Sequence, residues 1–192
     1  MPPIILASTS PYRAEQLQRL HVDFSQQAPD VDEAPLKETC IDHRTLSREL
    51  SLLKAKAISD KYPDAIVIGG DQVASFDGQI LSKPKTEEKA VKQLQLLNGK
   101  AHQLITSLAI LYKGETYLHT CIATMTMRKL TDEQIRRYIA ADQPLHSCGS
   151  YKLETLGISL FESIDCEDYS SIIGIPLMWT AKTLTQLGVS VP

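Results

Sequence analysis

This sequence is short of the features that tie a chain to a membrane, a disulfide framework or a nucleic-acid backbone. No stretch approaches the roughly 20 apolar residues of a membrane span, so no membrane partner is expected. There are only four cysteines, Cys40, Cys121, Cys148 and Cys166, with no CxxC pair and none at metal-ligand spacing with a histidine. They read as thiols in a reducing compartment. An excess of basic residues is also missing: the formal net charge is −3, which argues against binding to duplex nucleic acid. The opening MPPIILAST lacks the basic start and apolar length of a signal peptide, and a cytoplasmic location is the expectation. Neither GxxxxGK[ST] nor GxGxxG occurs, so neither a P-loop nor a dinucleotide fingerprint is available. The histidines His21, His43, His102, His119 and His146 show no paired helical spacing, and no Ser-His-Asp arrangement can be read. Each histidine reads as a surface or hydrogen-bonded residue rather than a catalyst.

What is present suits a single globular domain spanning 1–192, with 43% hydrophobic and 22% charged residues. Ile4 to Ala7 reads as a short strand. Ser8-Thr9-Ser10-Pro11 follows, then a helix to about Leu20, with Ser10 as N-cap and Pro11 in the first helical position. A polar turn feeding a helix N-terminus suits a phosphate, and Arg13 adds a cation in the first turn. A routine strand–helix junction is the alternative. Residues 22–40 read as irregular, with Pro29, Pro35 and the acidic cluster Asp30, Asp32 and Glu33. That cluster is either a solvated loop or the source of a carboxylate for a hard metal ion. From about Asp42 to Lys61, Leu46, Leu50, Leu53 and Ala57 mark the apolar stripe of an amphipathic helix. Lys54 and Lys56, in its C-terminal half, suit either the helix dipole or a ligand.

The stretch DAIVIGGDQVASFDGQILSKP, residues 64–84, organises the rest. Ala65 to Ile68 is apolar and β-branched enough for a strand buried on both faces. Gly69 and Gly70 read as a bend open to close approach by a ligand, with Asp71 just past the strand end, where α/β sheets hold ligands. A solvated strand end is the alternative. Asp77-Gly78 reads as a hairpin turn returning the chain to Lys83, so that Asp71 and Lys83 could share one crevice. Thr86 then caps a helix ending near Asn98-Gly99. Residues 101–112 and 116–127 form a long antiparallel hairpin joined at Lys113-Gly114. Thr131 to Gln134 is a capping box starting a helix to about Ala141. Gly157 to Ile164 reads as a strand, and Pro176 opens a last helix closed by Gly188. The expected class is α/β, with a mixed sheet that contains a long antiparallel hairpin.

Acids and cations gather at element ends: Arg13, Glu33, Lys54, Asp71, Lys83, Lys152 and Glu154. Carboxylates combined with Arg and Lys suit a metal-assisted reaction on a phosphorylated substrate. The cations neutralise phosphate charge while a carboxylate orients or deprotonates water.

The motifs LASTSPYR, DVDE, SLLKAKA, VIGGDQV, SKP, NGKAHQLIT, CGSYKLETLG and DYSSIIGIPL, in this order, resemble the Maf-like nucleotide pyrophosphatases from about Ile4 to Leu187. The resemblance implies a fold like the inosine-triphosphate pyrophosphatases, two lobes around a cleft, and a homodimer. It implies hydrolysis of a nucleoside triphosphate to monophosphate and pyrophosphate with a divalent cation, Mg²⁺ or Mn²⁺. Asp71 matches the proton acceptor. Arg13, Glu33, Lys54 and Lys83 match phosphate- and metal-handling positions, with Glu33 and Asp71 as the metal residues. Ser8, in the LASTSPYR turn, joins the substrate-binding set. Tyr12, Gln72 and Glu154 depart from the commoner Arg, Thr and Gln, and Ser82 replaces a glycine. The first three changes resemble the branch acting on N7-methyl-GTP, whose base carries a delocalised positive charge. Glu154 would oppose that charge and Tyr12 offer an aromatic face, unless Glu154 is instead spent on a salt bridge to Lys152 or another surface cation. The alternatives are the same chemistry on dTTP, UTP or another modified nucleotide, or a non-catalytic nucleotide-binding regulator of cell division.

Overall fold

The computed structural model describes residues 2–40 and 42–191. Within them the chain forms seven strands and seven α-helices. The sheet is mixed, with strand order β2-β1-β3-β5-β6-β7 and β4 paired to β3. The chain divides into two compact units. The first comprises residues 1–72, 106–121 and 168–192, and the second residues 73–105 and 122–167.

In the first unit, β1 (Ile4–Ala7) lies parallel to both β2 (Ser25–Gln26) and the start of β3 (Ile66–Phe76). Both faces of this sheet are buried, as the apolar run 65–68 led one to expect. Alternation along the strands sorts the residues. Ile4, Leu6, Ile66, Ile68, Leu108 and Ile110 pack with α1 (Pro11–Gln18) and α7 (Leu177–Gln186) through Leu17, Leu177 and Leu184. Ile5, Ala7, Val67 and Ala109 pack on the opposite face with Ala55 and Ile58 of α3 (His43–Ser59). Ser10 caps α1 by accepting from the Arg13 N–H at 3.4 Å, and Asp42 caps α3 through Thr45.

Several local expectations change. β3 does not stop at Gly69 and Gly70 but runs straight through them, so Asp71 lies inside the strand and is buried. The glycines serve close approach instead of a bend. A Cβ on Gly69 would lie 2.5 Å from the Ser51 carbonyl oxygen and 2.6 Å from the Ala55 nitrogen, both backbone atoms of α3. Residues 22–40 are not wholly irregular, because α2 (Ala34–Thr39) forms there with Pro35 in its first turn. Proline is tolerated at a helix start, where its missing N–H has no partner to lose. The stripe of α3 is also displaced: Leu46, Leu50, Ala55 and Ile58 are buried, whereas Leu53 and Ala57 are only half-buried.

In the second unit, β3 turns into β4 (Gln79–Ile80) through Asp77 and Gly78, both at positive φ (48° and 71°), the two-residue hairpin read from the sequence. Helix α4 (Glu87–Leu97) is capped by Thr86, and α5 (Asp132–Asp142) begins with the expected capping box of Thr131 and Gln134. The two helices pack against each other, and Leu104 of β5 (Ala101–Tyr112) and Met125 of β6 (Glu115–Met127) are buried. The last strand is shorter than expected. Residues 156–160 form a 3₁₀ turn, and β7 is Phe161–Asp165. A Cβ on Gly157 would lie 2.2 Å from the Lys152 carbonyl oxygen, so the chain folds back on itself there before extending. Back in the first unit, the short helix α6 (Ser170–Ile173) precedes α7 and was not legible beforehand.

Gly69→Ala should therefore cost more stability than Gly78→Ala. At Gly69 the added methyl meets helix backbone that cannot rotate away, an overpacking of about 1–3 kcal/mol or more. At Gly78 the space is open and only the positive φ is strained, at about 1 kcal/mol. Urea denaturation of both variants decides the point, and equal losses would contradict this packing.

Candidate active site

The site residues of the first unit leave β3 on opposite faces. On the α3 face, Ser47, Ser51 and Lys54 recur at helical spacing and look onto the strand. The close contact at Gly69 brings this part of α3 down onto β3. Lys54 Nζ lies 2.6 Å from Asp71 Oδ1 and 2.8 Å from Glu33 Oε1, so one ammonium bridges two carboxylates. The side chains of Lys54 and Asp71 are each only 11% exposed, which makes this pair far less screened than a surface ion pair. Ser47 Oγ donates to the Asp71 carbonyl at 3.2 Å and ties helix to strand. Glu33 enters from the N-cap of α2 and also pairs with Lys37, four residues on. Burial pushes the Glu33 carboxyl up, but hydrogen bonds and charge from Lys37 and Lys54 outweigh it and hold the group at about 2, below its ordinary 4.5. Lys37 escaped sequence reading because α2 itself did. An i,i+4 Glu–Lys pair was the available signal.

On the other face, Gly70 and Gln72 look toward α1 and the segment before α7. Arg13 lies between two glycines: Cβ atoms on Gly70 and Gly174 would approach its side chain to 3.3 Å and 3.2 Å. Its Nε donates to the Gly174 carbonyl at 3.3 Å and a terminal nitrogen to Ser8 Oγ at 3.4 Å. Ser8 is buried and also receives the Ser10 N–H at 3.2 Å, so it shapes the turn before α1. Tyr12 is half-buried in the first turn of α1. Gln72 Nε2 donates to Thr106 Oγ1, the Ser171 carbonyl and the Ile172 carbonyl, at 2.9, 3.1 and 2.9 Å. Thr106 and the segment 168–174 lie in the motifs NGKAHQLIT and DYSSIIGIPL, but none of their residues carries a site role in the sequence reading. The signal available was Asp168-x-Ser170, an Asx-turn pattern.

The remaining candidates belong to the second unit. Lys83 is exposed in the segment after β4. Glu154 is exposed too and forms no ion pair among the described residues. Lys152 donates instead to the Asp142 carbonyl at 2.7 Å, so the expected Lys152–Glu154 alternative does not form. His102 in this unit is buried against Tyr151, to which Nε2 is hydrogen-bonded at 2.8 Å, and burial pushes its pKa down to about 4. It is a hydrogen-bonded histidine of the core.

Among the described residues no cluster of three or more His, Cys, Asp and Glu side chains is present. The donor set at Lys54 is two carboxylates, which suits a hard cation that takes its other ligands from water and phosphate oxygens. No helix of the described residues is long and apolar enough to cross a membrane.

The Glu33 ion pairs give a pH prediction for the metal-free protein. A depressed carboxyl pKa contributes stability above the unfolded value near 4.5, lost as pH falls toward about 2. Solvent screening leaves about 1 kcal/mol of this. Glu33→Gln should therefore flatten the stability curve between these limits relative to wild type. Identical acid sensitivity of the two proteins, followed by denaturant midpoint, would contradict the pairing.

Three similar proteins carry the name 7-methyl-GTP pyrophosphatase. That of Pseudomonas aeruginosa is 42% identical over 194 aligned residues, covering all of both chains. That of Polaromonas sp. is 44% identical over 98% of this chain and 86% of its own. That of Bdellovibrio bacteriovorus is 43% identical over 94% and 95%. A solved HAM1 protein from Coxiella burnetii is 12% identical with a TM-score of 0.44, over 66% of this chain and 73% of its own, a likeness too weak to build on. The family model described as Maf-like protein matches residues 3–187, and with relatives this similar over the whole chain, the chain belongs to the Maf-like family.

Proposed function

We propose that this protein hydrolyses N7-methyl-GTP to N7-methyl-GMP and pyrophosphate, removing a modified nucleotide from the pool. The observation that carries the base assignment is Glu154: an exposed carboxylate with no cationic partner among the described residues, while Lys152 is held elsewhere. Such a carboxylate favours a base with a delocalised positive charge, and a neutral thymine gains nothing from it. Tyr12 adds an aromatic face for the same cation. The relatives named 7-methyl-GTP pyrophosphatase support the same reading.

In this reading water attacks the α-phosphorus and pyrophosphate leaves. Asp71 takes the proton from the water, oriented by Lys54 through its 2.6 Å contact. Arg13, Lys54 and Lys83 neutralise phosphate charge, with Arg13 already fixed by Gly174 and Ser8. Glu33 and Asp71 would hold Mg²⁺ or Mn²⁺, which when bound supplies further neutralisation and polarises the phosphate oxygens. The protein acts in this reading as a cytoplasmic homodimer that engages neither duplex nucleic acid nor membrane. Light scattering of the purified chain tests the dimer.

A nucleotide panel with a coupled phosphate assay tests the function, with N7-methyl-GTP expected to lead GTP, dTTP and UTP in kcat/KM. Asp71→Asn should fold and lose about 10²–10⁴-fold in kcat. Glu154→Gln should lower kcat/KM for N7-methyl-GTP by roughly 5- to 150-fold, and that for GTP and dTTP much less. A uniform loss on all substrates would remove Glu154 from base choice, and dTTP or UTP at the head of the panel would overturn the substrate. Exhaustive EDTA treatment should abolish turnover, with recovery on adding Mg²⁺ or Mn²⁺; full activity after chelation would contradict the metal assignment.

A further inference from the structure

Asp168 is a buried carboxylate in the first unit that the proposed reaction does not use. Its Oδ1 accepts the Ser170 N–H at 2.9 Å and the Ser170 hydroxyl, while Oδ2 accepts the Met178 N–H at 2.9 Å. Ser170 Oγ in turn accepts the Leu177 N–H at 2.8 Å. One charged group and one hydroxyl thus clamp both ends of the segment 170–178. The carbonyls of that segment are what hold the recognition side chains on this face of β3. Ser171 and Ile172 take the Gln72 amide, and Gly174 takes Arg13 Nε.

The hydrogen-bond chemistry leaves the Gln72 amide one orientation. Backbone carbonyls only accept, so the NH₂ end must face Ser171 and Ile172. Thr106 donates its one hydroxyl hydrogen to the Ser171 carbonyl at 2.9 Å, so toward Gln72 it can only accept. A flipped amide would set oxygen against three acceptors. The amide oxygen has no protein partner among the described residues, yet it is not among the buried atoms left without one. It is therefore the accessible end of the side chain.

We infer that Asp168 is a positioning residue for nucleotide recognition. By clamping the 170–178 segment it fixes Gln72 with its oxygen outward, as an acceptor for an N–H on the base, and fixes Arg13 for phosphate. Guanine presents such donors at N1 and at its 2-amino group. This inference rests on the reading above that Gln72 and Arg13 face the nucleotide.

The test uses the full chain and Asp168→Asn, which keeps the volume but places an NH₂ group against an N–H donor. Ser170→Ala, which removes the hydroxyl between Asp168 and Leu177, is the milder companion. The first readout needs no substrate: hydrogen exchange of the Gln72 side-chain NH₂ by NMR, slow in wild type and accelerated in both variants. The second is kinetic. Asp168→Asn should raise KM for N7-methyl-GTP by roughly 10- to 100-fold, the scale of a lost hydrogen bond to a charged group, with kcat changed less. In a Gln72→Ala background the same change should raise KM by a smaller factor. Should Asp168→Asn fail to fold, Ser170→Ala carries both comparisons. Unchanged Gln72 exchange, or a KM effect undiminished by Gln72→Ala, would overturn the role. Absence of N7-methyl-GTP turnover in wild type would sink the function proposed above, and the exchange readout would still judge Asp168.

Discussion

The contact on which the first unit depends is backbone against backbone: α3 lies so close to Gly69 that no side chain fits between them. That approach carries Lys54 within 2.6 Å of Asp71. A residue with a Cβ at position 69 would push the helix outward and lengthen the one contact that orients the acid. The cost of keeping an ammonium and a carboxylate largely out of water is offset only at such short range. A second carboxylate, Glu33, shares the same ammonium and takes a second cation from Lys37, so two acids and two lysines form one ion-pair chain.

The two-residue period of β3 then divides the chemistry. Asp71 leaves toward α3 and joins the acid–lysine cluster, whereas Gln72 leaves toward the segment before α7, whose Gly174 carbonyl also takes Arg13. In the proposed reaction, neighbouring residues of one strand thus take different tasks, hydrolysis on one face and recognition on the other. Each face has its own brace. On one side Ser47 ties α3 to the strand; on the other, Asp168 and Ser170 hold the carbonyls that Gln72 and Arg13 engage.

Much of this was legible in the sequence wherever a local rule sufficed. The Asp77-Gly78 hairpin, the Thr86 and Thr131 caps, the long hairpin at Lys113-Gly114 and the doubly buried run 65–68 all follow from short-range chemistry. The failures have one cause in common, namely that their explanation is tertiary. Gly69-Gly70 reads as a bend until the backbone of α3 is seen above it. Gly157 looks like strand until the Lys152 carbonyl is seen beside it. Pro35 reads as a breaker although it opens α2, and with α2 unseen the Lys37–Glu33 pair was lost. Asp71, Glu33 and Lys54 stand out as candidates in the sequence, but the single ammonium that joins them is visible only in the fold. The motif DYSSIIGIPL, residues 168–177, is visible in the sequence, but its work lies in backbone carbonyls, which carry no residue signature.

The central claim is that water activated at Asp71 attacks the α-phosphorus of N7-methyl-GTP. Single-turnover hydrolysis in H₂¹⁸O, with mass spectrometry of both products, tests it most directly. The account predicts one ¹⁸O in N7-methyl-GMP and none in pyrophosphate. Label in the pyrophosphate, or release of inorganic phosphate with N7-methyl-GDP, would contradict it.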